Sequence, residues 1–237
     1  MENKKELFKL LVQEFHGMKL PQVINRDLRL PDWCTIPPEG RPGWAVAITG
    51  PRRCGKTYAL FQVIQSLCGL SSSPYPRQQV VYVNFEDERL LPLKADDLST
   101  LLDAYFELYP DNTLKDIFIF LDEVQNVKSW DLFIRRIVEN EEARIFVAGS
   151  FPGPGDRRRV PRLPGRADTL ALSPLSFGEF LDFKGLPLEP DYAKSRLRFK
   201  IKNLLDEYLI YGGFPEVVLA DPPAKFRVLR NYFDIFV

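Results

Sequence analysis

The sequence predicts an α/β fold, a parallel sheet flanked by helices. Three observations predict it. Short apolar runs rich in Val, Ile and Phe recur at 44–49, 80–85, 117–121 and 144–150, and each reads as a strand buried on both faces. Stretches of helical periodicity alternate with them, the order that builds a parallel sheet. The first apolar run passes through a glycine-bounded loop directly into a helical pattern.

That loop is Gly50-Pro51-Arg52-Arg53-Cys54-Gly55-Lys56-Thr57. Its spacing of Gly, four residues, Gly-Lys-Thr is that of the phosphate-binding P-loop. Gly50 and Gly55 permit backbone angles that a side chain forbids, so successive N–H groups can turn inward around a phosphate. The helix that follows points its positive end at the same anion. Lys56 can reach the β- and γ-phosphate oxygens, and the Thr57 hydroxyl can bind Mg²⁺. The nucleotide-binding set is therefore Gly50 to Thr57 together with Tyr58, and the expected cofactors are ATP and Mg²⁺. Average composition would produce this pattern by chance in on the order of 1% of chains of this length.

The chain has 237 residues and 45% hydrophobic content, enough for one substantial core and a smaller appendage. Lys plus Arg and Asp plus Glu each number 32, so no global field draws the chain to nucleic acid or membrane. Cys34, Cys54 and Cys68 are too scattered for a disulfide frame or a zinc cluster, and a cytoplasmic location is expected. The N-terminus lacks the apolar core of a signal peptide. No apolar run approaches the roughly 20 residues that span a bilayer, so no membrane partner is expected. His16, the single histidine, is read as a surface residue without chemistry.

In chain order, Leu7, Leu10, Leu11 and Phe15 predict an amphipathic helix over 3–16 that packs on the core. Residues 17–43 are irregular and proline-rich; in many P-loop proteins the segment before the first strand, here Ile24 to Leu28, lines the adenine pocket. Leu60, Val63, Ile64 and Leu67 mark one side of the helix after the loop. The segment 69–79 is a loop. The second strand ends near Asn84, a candidate restraint on the catalytic acid proposed next. Leu98 to Tyr109 is a helix closed by Pro110.

The third strand, Ile117 to Leu121, runs into Asp122-Glu123, the form of a Walker B element. A buried parallel strand delivers its terminal carboxylate to the sheet edge beside the P-loop. Asp122 is the expected metal residue. Adjacent strand residues face opposite sides, so Glu123 is expected to point elsewhere and to polarise an attacking water. Solvated acids at a strand end are the bland alternative. A helix with Trp130, Phe133, Ile134, Ile137 and Val138 on one stripe follows. Ser150, at the carboxyl end of the fourth strand, is the candidate sensor of the γ-phosphate; a simple turn serine is the alternative.

Residues 151–166 carry Pro152, Pro154, Pro161, Pro164 and five arginines, a solvated basic loop or a contact for an anionic partner. Arg166 follows Gly165 and precedes a fifth short strand, Thr169 to Leu172. Ser176 and Glu179 have capping-box spacing. Residues 194–211 predict a helix with Leu197, Ile201, Leu204, Leu205, Tyr208 and Leu209 inward, stopped by Gly212-Gly213. Asp221-Pro222-Pro223 stops a short element, and an apolar-periodic run closes the chain on Phe236-Val237, an ending expected of a piece of a longer protein.

The stretches Ile48–Thr57, Val81–Arg89, Ile117–Trp130, Ile145–Ser150, Gly165-Arg166, Leu172–Leu181 and Tyr208–Val218 together resemble the archaeal and bacterial AAA-like, DEXX-box-type P-loop ATPases. The resemblance implies a sheet of order 5-1-4-3-2, a small helical lid, and a C-terminal domain of poorly known function beyond it. It implies a lead-in over 1–43, an ATPase core over 44–185, and a lid with the start of a further region over 186–237. It assigns Walker A, Walker B and sensor roles to Lys56, Thr57, Asp122, Glu123 and Ser150. Arg166 matches the family's Gly-Arg pair and is the candidate arginine for the γ-phosphate, in cis or, through self-association, in trans. One departure is that the Pro- and Arg-rich segment 151–164 replaces a serine-rich helix. Three functions follow as expectations: an ATPase hydrolysing ATP with Mg²⁺, a nucleotide-gated switch with little turnover, or an ATPase associated with nucleic acid or a protein partner.

Overall fold

Four of the strands form because their side chains suit a surface buried on both sides. The computed structural model describes residues 2–28, 43–69, 75–140, 143–150, 167–187 and 197–236. Within them, β1 (Trp44–Thr49), β2 (Val80–Asn84), β3 (Phe118–Asp122), β4 (Arg144–Gly149) and β5 (Ala167–Ala171) make one sheet of order β2-β3-β4-β1-β5. Every pairing is parallel. This is the expected order read from the other edge. β3 is buried throughout, whereas β5 at the edge is largely exposed.

Cα packing divides the chain into two compact units. The first comprises Met1–Val23, Leu28–Gly50 and Lys56–Ala171, and holds the sheet with α1 (Glu2–Gly17), α2 (Lys56–Cys68), α3 (Asp97–Leu108) and α4 (Trp130–Asn140). The helix–sheet spacing of two against 3.6 sorts the residues by face. Ala45, Ala47, Val81, Val83, Ile119, Leu121, Ile145 and Val147 join the buried residues of α1, α3 and α4 in one cluster. The alternate strand residues carry the aromatics: Phe120 stacks on Phe146 at 4.7 Å, and Trp44 meets Phe146 edge-on at 5.2 Å. α2 packs against β1, β3 and β4.

α1 does pack on the core, but its buried stripe is Phe8, Val12 and Phe15, with Leu7 and Leu11 flanking and Leu10 exposed. Of the expected stripe only Leu10 turns outward; Phe8 and Val12 complete the buried face, which centres between the rows of Leu7 and Phe8 and of Leu11 and Val12. His16 is not a surface residue. It is half-buried on α1, with Nδ1 at 2.9 Å from the Tyr109 hydroxyl and Nε2 at 2.8 Å from the Val80 carbonyl. Burial and the nearby Arg77 charge lower its pKa, while the Val80 bond acts the other way.

The second unit comprises Ile24–Asp27, Pro51–Gly55 and Leu172–Val237. Its helices are α5 (Phe177–Phe183), α6 (Leu197–Tyr211), α7 (Pro215–Leu219) and α8 (Pro222–Phe236). The capping box forms as expected: Ser176 and Glu179 satisfy each other's amides at the start of α5. Leu175, Phe180, Leu181, Ile201 and Val218 make the core. Of the residues expected to face inward on α6, Leu205 and Leu209 are exposed, because the small second core reaches only the Ile201 stripe. Gly212 closes α6 at φ +73°, a left-handed turn that favours glycine. Pro222 and Pro223 do more than stop α7. They occupy the first turn of α8, where a missing N–H costs nothing.

Candidate functional site

In a parallel sheet every strand ends at the same edge, so residues that follow β1, β3 and β4 meet there. Gly50 follows β1, Asp122 closes β3 and Ser150 follows β4. The register aligns Thr49 with Gly149, which sets the chain after β1 beside the chain after β4.

Lys56 opens α2 and is 4% exposed. Its ammonium donates to the Ser150 hydroxyl at 2.9 Å and to the Gly50 carbonyl at 3.3 Å. A buried ammonium needs such acceptors, and phosphate oxygens are the same kind of group with more charge. The Thr57 hydroxyl donates to Asp122 Oδ2 at 2.7 Å. Asp122 is wholly buried. Burial, with the Glu123 charge adding to it, pushes its carboxyl up to about 6, while bonds from Thr57, Tyr82 and the Glu123 amide pull it back. Two hard oxygen donors, a hydroxyl and a carboxylate, suit Mg²⁺ and leave the rest of its shell to water and phosphate. Among the described residues no group of three or more His, Cys, Asp or Glu offers a different metal site.

Glu123 departs from the strand-alternation argument. β3 stops at Asp122, and Glu123 adopts left-handed angles, φ 49° and ψ 40°, before a short 3-10 turn at Val124–Asn126. Its direction is set by this turn and not by the pleat. Non-glycine residues in that region are uncommon and concentrate at functional sites. Its N–H donates to Asp122 Oδ1 at 3.1 Å, and its carboxylate accepts from the Gln125 amide. The bond of Asn84 is a local one, its Oδ1 accepting from the Glu86 N–H at 2.9 Å.

Within the loop, Arg53 at φ +64° and Gly55 at φ +97° reverse the chain. Gly55 is required by that angle, since an added Cβ would meet nothing nearer than 3.7 Å. Pro51, Arg52 and Arg53 are exposed and Cys54 is buried. Arg53 pairs with Glu216 at 2.9 Å and lies over the Tyr232 ring at 4.8 Å; both ion-pair partners are about half exposed, so the pair contributes little. Tyr58 is 54% exposed and meets Phe61 edge-on. Arg166 lies outside the described residues, as do Arg157–Arg159, Arg162 and the whole segment 151–164.

The contacts that sequence reasoning missed are those of Tyr82, Gln125 and Arg26. The Tyr82 hydroxyl reaches Asp122 Oδ2 at 3.3 Å, and burial keeps the phenol protonated as a donor. A tyrosine among the valines of β2 was the available signal, because its hydroxyl must find a partner. Arg26 is 8% exposed and donates to the Cys54 carbonyl inside the loop. Nothing local in its sequence announces this.

A glycine-bounded loop at the carboxyl edge of a five-stranded parallel sheet, with Lys56 and Thr57 opening the next helix, defines a P-loop nucleotide-binding protein. A model of the AAA domain matches residues 43–181, and the chain belongs to that family. It is a nucleotide-binding, ATPase-like module. The uncharacterized protein MJ1544 of Methanocaldococcus jannaschii is 33% identical over 236 residues, covering 99% of this chain and 48% of its own length. An uncharacterized Haemophilus influenzae protein is 33% identical over 193 residues, covering 80% of this chain and 44% of its own length. The chain spans about half the length of these curated relatives. Among solved structures, Caenorhabditis elegans PCH-2 overlays with a TM-score of 0.47 at 14% identity, covering 93% of this chain and 62% of that one. Among the described residues no helix is long and apolar enough to cross a membrane.

Proposed function

We propose that this protein binds ATP and hydrolyses it with Mg²⁺ to drive a conformational change. The observation that carries the reading is the 2.7 Å contact between the Thr57 hydroxyl and the buried Asp122 carboxylate. A hydroxyl and a buried carboxylate brought together at a strand end and the first turn of a helix can share a hard cation. Thr57 and Asp122 would hold Mg²⁺, Asp122 through water, and the ion would neutralise charge on the β- and γ-phosphates. Lys56 exchanges its carbonyl and hydroxyl acceptors for phosphate oxygens. The amides of 51–57 line the phosphate chain, with Tyr58 following. Ser150, released from Lys56, is free to touch the terminal phosphate. Glu123 accepts a proton from, or orients, the attacking water.

Arg166 is proposed as the arginine that stabilises the transferring phosphoryl group, in cis or from a second copy. The helices after 185 are proposed as the lid on the 44–185 core. The DEXX-box-type subtype belongs to the same proposal, as does a C-terminal domain driven by the ATPase in longer proteins of this kind.

Glu123→Gln tests the reading. It is expected to keep ATP affinity and to lose turnover by roughly 100-fold or more. Normal hydrolysis by this variant would remove Glu123 from the mechanism. A second reading, a nucleotide-gated switch with slow turnover, is favoured by the bond that engages Glu123 with Gln125. Phosphate release measured at several protein concentrations separates them. Activity per molecule that rises with concentration supports an arginine supplied in trans, and flat, negligible activity with tight ATP binding supports the switch.

A further inference from the structure

The P-loop is a run of peptide planes, and each plane has two ends. A trans peptide points its carbonyl and the next residue's N–H in opposite directions. Fixing the oxygen of such a plane therefore aims its amide. The plane between Cys54 and Gly55 is fixed in this way. Its oxygen accepts a 2.9 Å bond from Arg26 Nη1, a residue 28 positions earlier in the chain.

Arg26 is built for the task. Its guanidinium is 8% exposed, and all three nitrogens are engaged. Nε donates to Glu179 Oε1 at 2.6 Å, Nη1 to Cys54 O at 2.9 Å, and Nη2 to Ser173 O at 2.9 Å and Glu179 Oε2 at 3.4 Å. Glu179 is in turn held from several sides. Its Oε2 accepts from the Ser176 amide at 2.8 Å and hydroxyl at 3.0 Å, and its Oε1 accepts from the Asp27 amide at 3.1 Å. Burial pushes this carboxyl up, but the Arg26 bond and the Ser176 and Asp27 amides outweigh it and hold the group down to about 2, so it remains a carboxylate at any working pH. Gly55 itself sits against this arrangement: an added Cβ would lie 3.7 Å from Arg26 Nη1.

A surface arginine would gain little from such a pair, whereas a buried guanidinium must also place its remaining N–H donors, and the acceptor chosen here lies in the loop. Here a rigid three-way fork spends one arm on the loop carbonyl that lies opposite the Gly55 amide. We infer that Arg26, seated by Glu179, is a positioning residue for the nucleotide: it pins the Cys54 carbonyl so that the Gly55 N–H is pre-aimed at the phosphate chain. In this role it acts through the loop carbonyl. Only arginine meets these requirements, because an ammonium is a point donor that cannot span three acceptors in one plane. The inference rests on the phosphate-binding reading of the loop.

The test measures Mg²⁺–ATP and ADP binding by calorimetry, and kcat and KM by phosphate release, for the parent, Lys56→Ala, Arg26→Gln, Arg26→Lys and Glu179→Gln. Supporting shells of this kind typically contribute about 10- to 100-fold. Arg26→Gln is expected to weaken binding of both nucleotides about 10-fold or more and to lower kcat/KM by at least that factor. Arg26→Lys is expected not to rescue it. Glu179→Gln keeps the shape and an acceptor for Ser176 but loosens Arg26, and a smaller loss, about 3-fold, is expected from the same range. Melting curves give the comparison that a merely structural role would move alone: a lower melting temperature with parent affinity in the folded protein overturns the proposal. Should Arg26→Gln not fold, Glu179→Gln and Arg26→Lys decide, and parent affinity in both overturns it. Parent chain and Lys56→Ala that bind ATP alike, or not at all, would sink the phosphate-binding reading and the inference with it. A parent that binds, a Lys56→Ala that does not, and an Arg26→Gln that binds normally would remove the positioning role alone.

Discussion

Replacing Thr57 by valine isolates the hydroxyl on which the metal reading depends. Valine keeps the branched Cβ and nearly the same volume, so α2 loses little intrinsic preference in its first turn. What disappears is the 2.7 Å donation to Asp122 Oδ2. The carboxylate is wholly buried and keeps only longer bonds, 3.1 Å from the Glu123 N–H and 3.3 Å from the Tyr82 hydroxyl. A hydrogen bond to a charged group contributes about 1.5–3 kcal/mol. At roughly 2–4 °C per kcal/mol for a chain of this size, the variant should melt about 3–12 °C lower in the absence of nucleotide. Thr57→Ser returns the donor and should recover most of the loss. Calorimetric ATP titrations with and without Mg²⁺ supply the second measurement. Metal-free ATP should bind Thr57→Val as it binds the parent, because Lys56 and the loop amides are intact. The gain in affinity on adding Mg²⁺ should be lost. A valine variant that melts with the parent and keeps the full Mg²⁺ response would refute the reasoning.

Gly213→Ala should destabilise the protein by roughly 2–4 kcal/mol in urea unfolding, an overpacking cost with a weakened hydrogen bond added. The new Cβ would lie 2.2 Å from the Leu175 carbonyl oxygen, a backbone atom, beside the 2.7 Å bond from Leu175 N to Gly213 O. Gly212→Ala has open space and only a left-handed angle to overcome, about 1–2 kcal/mol, so the reverse ranking would show the close approach to be wrong. His16 makes the parent lose stability as pH falls. Its folded pKa is lowered, so the unfolded chain takes up the proton first, and the stability present above about pH 6.5 drains away below it. The groups around it are Tyr109, the Val80 carbonyl and Arg77. Melting temperatures from pH 7.5 to 5.5 should fall less steeply in His16→Gln than in the parent, with Asp122 titrating equally in both; parallel curves would contradict the assignment.

Much of this molecule could be read in advance where local composition and long-range packing ask for the same thing. The strands at Trp44, Val80, Phe118 and Arg144 begin within a residue of their expected positions, because an uninterrupted apolar run has few alternatives to a buried parallel strand. The capping box at Ser176 and the left-handed stop at Gly212 are chemical demands of the backbone itself. Lys56, Thr57, Asp122 and Ser150 were legible as a group because one sheet edge collects the ends of several parallel strands.

The misreadings share a cause. Strand alternation predicts a direction for Glu123, yet β3 ends at Asp122, one residue before it. Leu10, Leu205 and Leu209 fit a helical stripe, yet they are exposed, because periodicity names a face without saying how far the opposing core extends.

By itself, the sequence determined the fold class, the phosphate-loop spacing and the residue types at the strand ends, since each follows from local backbone and burial rules. Tertiary structure alone decided that Tyr82 reaches Asp122, that Gln125 engages Glu123, and that Arg26 clasps both Glu179, 153 residues away, and the Cys54 carbonyl. A side chain's partner is chosen by what the whole fold brings within about 3 Å of it, and no local pattern encodes that distance.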